Sequence, residues 1–296
     1  MGAARRGYDF WGVPFDGAAT LGWPGSRYGP ERIRKALSWI GMRVAHGSIY
    51  SVDTGRVVDL DDNFFVDRGD VRVIAHDAPA SLEACSRAVS STVALGRVPI
   101  VVGGDDSLLF GCLRGFHDAV GGSVGIIHFD AHLDLMDESE AQGRYSHSSG
   151  MRRALELERV SPSHSIQVGV RNFNFPASRH FIDEIQLPQL SAPEFERLGI
   201  DGALDRITQA VSGADHVFWS FDIDAIDPAF APGAGAHDPG GITSRQALDC
   251  VRRLAPLCDG FAVMEVNPMT DVGDMTSTLA AYLVYDFAVF GHAEAP

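Results

Sequence analysis

Val124-Gly125-Ile126-Ile127-His128-Phe129-Asp130-Ala131-His132-Leu133-Asp134 is the stretch on which the choice of fold turns. Its first six residues make a short β-type run that is too apolar to be half exposed, and it ends abruptly in ionisable side chains. Runs of the same kind are Tyr8–Val13, Val98–Val102, Ser165–Val170, His216–Phe221 and Phe261–Val266. Between them lie segments of helical character. In Pro79–Leu95, Leu82, Cys85, Val89 and Val93 recur at helical spacing, and Ser244–Leu254 opens on a serine in the N-cap position. Further helices are expected over Pro30–Leu37, Leu108–His117, Gly150–Glu156, Gly202–Val211 and Met275–Phe290. Buried strands alternating with helices predict an α/β fold with a central parallel sheet covered on both faces. Phe15–Gly29, Asp61–Asp77, Asp137–Ser149, Asn172–Pro188 and Ala229–Gly241 read as irregular. Ligands of such sheets bind outside the carboxyl ends of the strands, so the loops that follow strands are where chemistry is expected.

Composition narrows the function. The 296 residues, 45% hydrophobic, suit one core, and a single domain over 1–296 is expected. A formal charge of −15 without any Lys/Arg cluster argues against nucleic acid as partner. The acidity suits cationic small molecules or metals, although much of it serves solubility. No apolar leader follows Arg5 and Arg6 and no run is long enough to span a bilayer, so a cytoplasmic protein without membrane partners is expected. Cys85, Cys112, Cys250 and Cys258 are widely spaced in apolar segments and read as reduced core residues.

Three strand ends carry the chemistry. Asp130, His132 and Asp134 stand at alternate positions where a strand opens into a loop, and they can converge if the backbone bends there; Asp and His are also ordinary loop residues. The apolar run Val217, Phe218, Trp219, Phe221 leads straight into Asp222 and Asp224, an arrangement that needs a compensating cation because burying unpaired charge costs several kcal/mol. Asp227, followed by Pro228, reads instead as a turn former. After Val98–Val102, Gly103 and Gly104 allow a tight turn that leaves Asp105 and Asp106 at the same sheet edge. Oxygen-rich ligation with few imidazoles and no thiolate favours a hard or borderline ion such as Mn²⁺, and a carboxylate-bridged ion pair is a device of hydrolases.

With these motifs in place the chain resembles the ureohydrolase (arginase/agmatinase) family, nearest in pattern to agmatinase- and guanidinobutyrase-like amidinohydrolases. The likeness runs through Gly12 to Asp16, Pro24 to Pro30, Gly103 to Ser107, Asp130 to Asp134, Gln167 to Arg171, Ser220 to Pro228, Gly240-Gly241 and Glu265 to Pro268. It implies a three-layer α/β/α domain of arginase type holding two Mn²⁺ ions per chain, in which metal-bound hydroxide cleaves a small guanidino compound to urea and an amine. By the same resemblance Asp130 and Asp222 bridge the ions, Asp134 completes one, and His132 with Asp224 completes the other. Glu265 pairs with the substrate guanidinium, and His147 contacts substrate or shuttles protons, so His147, Asp134 and Glu265 are the expected catalytic group. Relatives form trimers or hexamers, which makes a homo-oligomer the expected assembly.

Two departures bear on activity. Asp106 occupies the histidine position of the family's Gly-Gly-Asp-His-Ser; as a ligand it would give one ion an all-oxygen protein shell, and as a shorter side chain it could fail to reach. The loop that usually reads Pro-Gly-Thr-Gly-Thr-Pro-Glu is here Pro232-Gly233-Ala234-Gly235-Ala236-His237-Asp238, so two hydroxyls are lost near the reacting group. His237 and Asp238 are candidates to replace those contacts or are exposed loop residues, and Arg144 or Arg179 could pair with a substrate carboxylate. Two alternatives follow from the departures: a catalytically silent metal-binding paralogue, and a hydrolase of another C–N bond, amide or formimino.

Overall fold

The computed structural model describes residues 6–292. Its strands are β1 (Tyr8–Gly12), β2 (Ser48–Ser51), β3 (Arg56–Asp59), β4 (Phe65–Asp70), β5 (Val98–Val102), β6 (Val124–Phe129), β7 (Ile166–Val168), β8 (Gln189–Leu190), β9 (His216–Asp222) and β10 (Gly260–Met264). The helices are α1 (Gly29–Gly41), α2 (Ala78–Ala94), α3 (Leu108–Ala119), α4 (Gly150–Leu155), α5 (Pro176–Ile185), α6 (Ala192–Val211), α7 (Ser244–Leu254) and α8 (Met275–His292). Eight strands form one sheet in the order β4-β1-β5-β10-β9-β6-β7-β8, and every pairing within it is parallel. Among the described residues no helix is long and apolar enough to cross a membrane.

Alternation along the strands sorts the core into two layers. Phe10, Ile100, Ile127, Phe129, Trp219, Phe221 and Phe261 pack on one face with residues of α1, α6, α7 and α8. Val101, Ile126, Phe218, Ala262 and Met264 face the other way, onto α2, α3, α4 and α5. Both faces are therefore dry, which is why the strands read as continuous apolar runs, and the expected three-layer α/β/α architecture is what forms. All four cysteines are buried and unbridged.

The elements that escaped sequence reading are those without buried periodicity. β4 lies inside the stretch read as irregular, Asp61–Asp77; none of its residues is buried, and only its pairing with β1 makes it a strand. The antiparallel β2–β3 hairpin is separate from the main sheet and largely solvent-facing. α5 lies inside Asn172–Pro188 and buries only Ile182. α6 begins ten residues earlier than expected, because a first helical segment from Ala192 runs through a non-helical Gly199 into the second.

Four neighbouring strands, β5, β10, β9 and β6, end at the same edge, and the residues that follow them are the ones singled out above. β5 is followed by Gly104, where a β-carbon would lie 1.7 Å from the Phe15 carbonyl oxygen. Only glycine lets these two backbones touch. Asp105 fixes the same contact, since its carboxylate accepts the Ala18 N–H at 2.9 Å and its own N–H donates to the Phe15 carbonyl at 2.9 Å.

Candidate metal centre

Buried carboxylates elsewhere in this protein have cationic partners. Asp9 is paired with Arg68 and Arg97, Asp16 with Arg27, and Asp286 with Arg252. At the ends of β5, β9 and β6 the pattern breaks. Asp106, Asp130, Asp222 and Asp224 are all buried, and among the described residues no lysine or arginine forms an ion pair with any of them or with Asp134. Both carboxylate oxygens of Asp106 and one of Asp130 have no hydrogen-bond partner. Burial is the largest influence on Asp106, Asp134 and Asp222 and pushes each well above the usual carboxylate range; neighbouring carboxylates push the same way. Such a cluster is costly without a cation and well matched to one.

The geometry defines two overlapping groups. Asp106, Asp130 and Asp134, together with His128, present ligating atoms within 4.8 Å of one another; Asp130, His132 and Asp224 do the same beside them. Asp130 belongs to both groups, the position a bridging ligand takes. Asp222 is outside both groups: its Oδ1 accepts the Asp224 N–H at 2.8 Å, although the side chain still lines the adjoining cavity. Asp105, which the sequence left open as a metal-facing residue, turns away to hold the Phe15–Ala18 loop. Asp227 also turns away, accepting backbone N–H groups from Ala229, Gly240 and Gly241.

His128 joins the cluster without having been singled out from sequence. The signal is there, because a histidine interrupting an apolar strand two residues before Asp130 shares its face. Its tautomer follows from its neighbours. Gln167 Nε2 donates to the Leu133 carbonyl at 2.7 Å and lies 3.1 Å from His128 Nδ1, while Gln167 Oε1 accepts from Gln189 Nε2 at 3.1 Å. That chain makes Nδ1 the acceptor and leaves the proton on Nε2, which lies 3.3 Å from an Asp130 oxygen and 3.7 Å from one of Asp106. His128 is thereby a donor aimed at the carboxylates; burial lowers its pKa and keeps the ring neutral.

His132 is held differently. Nδ1 faces Asp224 at 3.2 Å and Asp130 at 3.4 Å, while Nε2 meets Asp238 at 3.1 Å, so Nδ1 is the nitrogen placed to ligate and Asp238 orients the ring through Nε2. Asp238, considered above as a substrate contact, stands behind His132, and Asn172 Nδ2 donates to its other oxygen at 3.0 Å. Asp238→Ala should weaken divalent-metal binding about 10- to 100-fold, and calorimetric titration with Mn²⁺ checks this. An unchanged affinity would show that His132 does not need that partner.

Glu265 and His147 close the other side. Glu265 Oε1 accepts the Asp106 N–H at 3.0 Å and lies 3.5 Å from His147 Nδ1. The Leu21 N–H donates to His147 Nε2 at 3.3 Å, so Nδ1 carries the ring proton and points it at Glu265. Burial opposes charge on His147, but the Glu265 carboxylate, helped by Asp134 and Asp105, outweighs it and raises the pKa. Glu265 and Asp134 both adopt left-handed backbone conformations, φ 60° and 50°, which non-glycine residues take at a cost of order 1–3 kcal/mol and typically keep at functional sites.

A cavity of about 450 Å³ opens onto these groups, lined by His132, Asp134, His147, Asp222, Asp224 and Glu265 at its base. Arg144 and His237 are not among its lining residues. Arg144 is tied to Glu156 at 2.7 Å and faces Asp137, and exposed His237 meets the Pro232 carbonyl at 2.7 Å. Arg179 pairs with Asp183 on α5.

A parallel sheet with a buried acidic cluster at the carboxyl ends of its central strands suits a protein that holds divalent cations, and comparison with known proteins identifies the family. The model of the arginase family matches residues 7–289, and the chain belongs to that family. It is 35% identical over 294 residues to proclavaminate amidinohydrolase of Streptomyces clavuligerus, covering 96% of this chain and 89% of that one. It is 35% identical over 280 residues to guanidinopropionase of Pseudomonas aeruginosa, covering 93% of this chain and 83% of that one. The crystal structure of formimidoylglutamase from Bacillus subtilis matches with a TM-score of 0.86 at 27% identity, covering all of this chain and 90% of that one.

Proposed function

We propose that this protein is a two-metal amidinohydrolase that splits the guanidino group of a small compound into urea and an amine. The observation that carries the reading is the set of buried carboxylates, unpaired with any lysine or arginine among the described residues and left with orphaned oxygens on Asp106 and Asp130, beside a cavity lined by Asp134, Asp222, Asp224, Glu265 and His147. The donor set fits divalent cations. Asp106, Asp130 and Asp134 would hold one ion, Asp130, His132 and Asp224 the other, with Asp222 near enough to turn toward both. All-oxygen and oxygen-plus-imidazole shells favour Mn²⁺. When bound, the ions supply Lewis acidity and activated water.

The remaining work falls to the protein. Glu265 presents a carboxylate to a planar guanidinium, a charge-assisted pair that fixes the reacting carbon over the cluster. His147 holds a proton on Nδ1 beside Glu265, positioned to be delivered to the departing amine. His128 donates toward Asp106 and Asp130, offsetting part of the negative charge that Asp106 adds where relatives carry histidine.

The test is incubation of the Mn²⁺-loaded protein with a panel of guanidino compounds and measurement of urea. Urea from at least one supports the reading; metal uptake without urea from any of them contradicts it. The resemblance to formimidoylglutamase favours a second reading, hydrolysis of a formimino group by the same site, and formamide as product would identify it.

A further inference from the structure

We infer that the substrate carries its guanidino group on an uncharged, apolar tail, alkyl or aryl, rather than on one ending in a carboxylate or an ammonium. The inference rests on the proposed function and adds the class of substrate. Its basis is the outer half of the cavity. The four acidic lining residues, Asp134, Asp222, Asp224 and Glu265, belong to or adjoin the carboxylate cluster, and the lining contains no lysine or arginine among the described residues. Beyond them the walls are Leu21, Leu133, Met136, Phe173 and Phe175.

Two of these walls are otherwise hard to explain. Phe173 is fully exposed and Phe175 is 66% exposed, and both sit in the Asn172–Phe175 turn that opens onto the site. Leu21, from the loop that also hydrogen-bonds His147, is 62% exposed on the opposite chain segment. Large apolar side chains grouped around a cavity mouth, and not buried in the core, mark a surface that is covered when something binds.

The polar neighbours are uncharged, and the amide oxygens among them are already engaged. Asn174 Oδ1 accepts from the Phe175 N–H at 2.8 Å and from Ser178 Oγ at 3.1 Å, and Gln142 Oε1 accepts from Ser146 Oγ at 3.3 Å. The nearby guanidinium groups are taken too: Arg171 donates to the carbonyls of Asp224 and Asp238, Arg144 pairs with Glu156, and Arg179 pairs with Asp183. A carboxylate tail would leave water for a wall offering no cation, above a base that is itself acidic. An ammonium tail would meet no carboxylate in the outer half. Either would exchange hydration for a wall without an opposite charge, whereas each methylene or ring of an apolar tail gains from burial.

The test compares hexylguanidine, 4-guanidinobutyrate and agmatine as substrates of the Mn²⁺-loaded protein, with calorimetric binding of hexylguanidine measured alongside. Hexylguanidine should have the highest kcat/KM, by at least about tenfold, mainly through KM. The double variant Phe173→Ala, Phe175→Ala should lose roughly tenfold on hexylguanidine and less on agmatine, so that the ratio of the two kcat/KM values falls. Preference for either charged tail, or equal rates on all three, would overturn the inference and leave the proposed function intact. If no urea forms from any of them, the proposed function fails. Calorimetry then still decides the tail preference, since hexylguanidine binding more weakly than agmatine would overturn it.

Discussion

Asp130→Asn should cost this protein both ions and at least about a thousandfold in turnover, roughly 4 kcal/mol of transition-state stabilisation, because Asp130 is the one residue shared by the two ligand groups. The same substitution should make the chelator-stripped protein more stable, not less. Burial pushes Asp130 above its usual range, and the negative charge of Asp224 adds to the shift. A carboxyl group whose folded pKa is raised weakens the fold in its ionised form at neutral pH, and asparagine removes that charge at nearly constant volume. The stripped parent should accordingly gain stability as pH falls from neutral into the mildly acidic range, and the variant should gain less. Thermal melts of both proteins, with and without Mn²⁺, check the reversal. A stripped variant that melts well below the stripped parent would mean that Asp130 is structural and that its charge is already compensated within the protein.

Glu265→Gln should lower kcat/KM by roughly a hundredfold, near the upper range of about 1.5–3 kcal/mol for a hydrogen bond to a charged group. The accompanying pH effect separates a role at the reaction from a role in folding. His147 is raised above its ordinary value because the Glu265 carboxylate, helped by Asp134 and Asp105, outweighs burial. Removing that carboxylate takes away the foremost of the groups that raise it, leaving Asp134 and Asp105 against burial, so the limb of the pH–rate profile that reports His147 should move to lower pH. The sign extends to stability. A raised histidine contributes stability that is full below its unfolded pKa and lost as pH rises through the folded value, and Glu265→Gln should flatten that part of the stability curve. Reduced activity with an unmoved profile would separate His147 from Glu265.

The parts of the fold legible in the sequence are those whose residues are dry. β5, β6, β9 and β10 are buried along their length, so composition alone marks them, and the parallel order follows from the helices between them. β4 and α5 escape that reading because β4 buries none of its residues and α5 only Ile182, so no buried periodicity marks them. Within the site, Asp106, Asp130, His132, Asp134 and Asp224 could be read as a cluster because each follows a recognisable strand. Glu265 could be read for the same reason, since β10 ends one residue before it. Residues whose part depends on a distant partner were less readable. Asp238 orients His132 across a sequence separation of 106 residues, and the tautomer of His128 is set by Gln167 and Gln189 on two other strands. Arg144 was a reasonable candidate from its loop, but its charge is used on Glu156 and Asp137, which no spacing rule reveals.

Asp106 is the pivotal residue of the site, because it puts a third carboxylate into a group already holding Asp130 and Asp134, at the position where the family resemblance implies an imidazole. If that group holds an ion, the additional negative charge is compensated by the ion and by the His128 donor. If it does not, the protein keeps a buried, uncompensated carboxylate with two orphaned oxygens for no chemical return. The direct measurement is the Mn²⁺ content of the purified protein after saturation and dialysis, with the Asp106→Ala variant alongside. Two ions per chain in the parent and one in the variant is the predicted result. One ion per chain in both would contradict a two-metal centre built on Asp106.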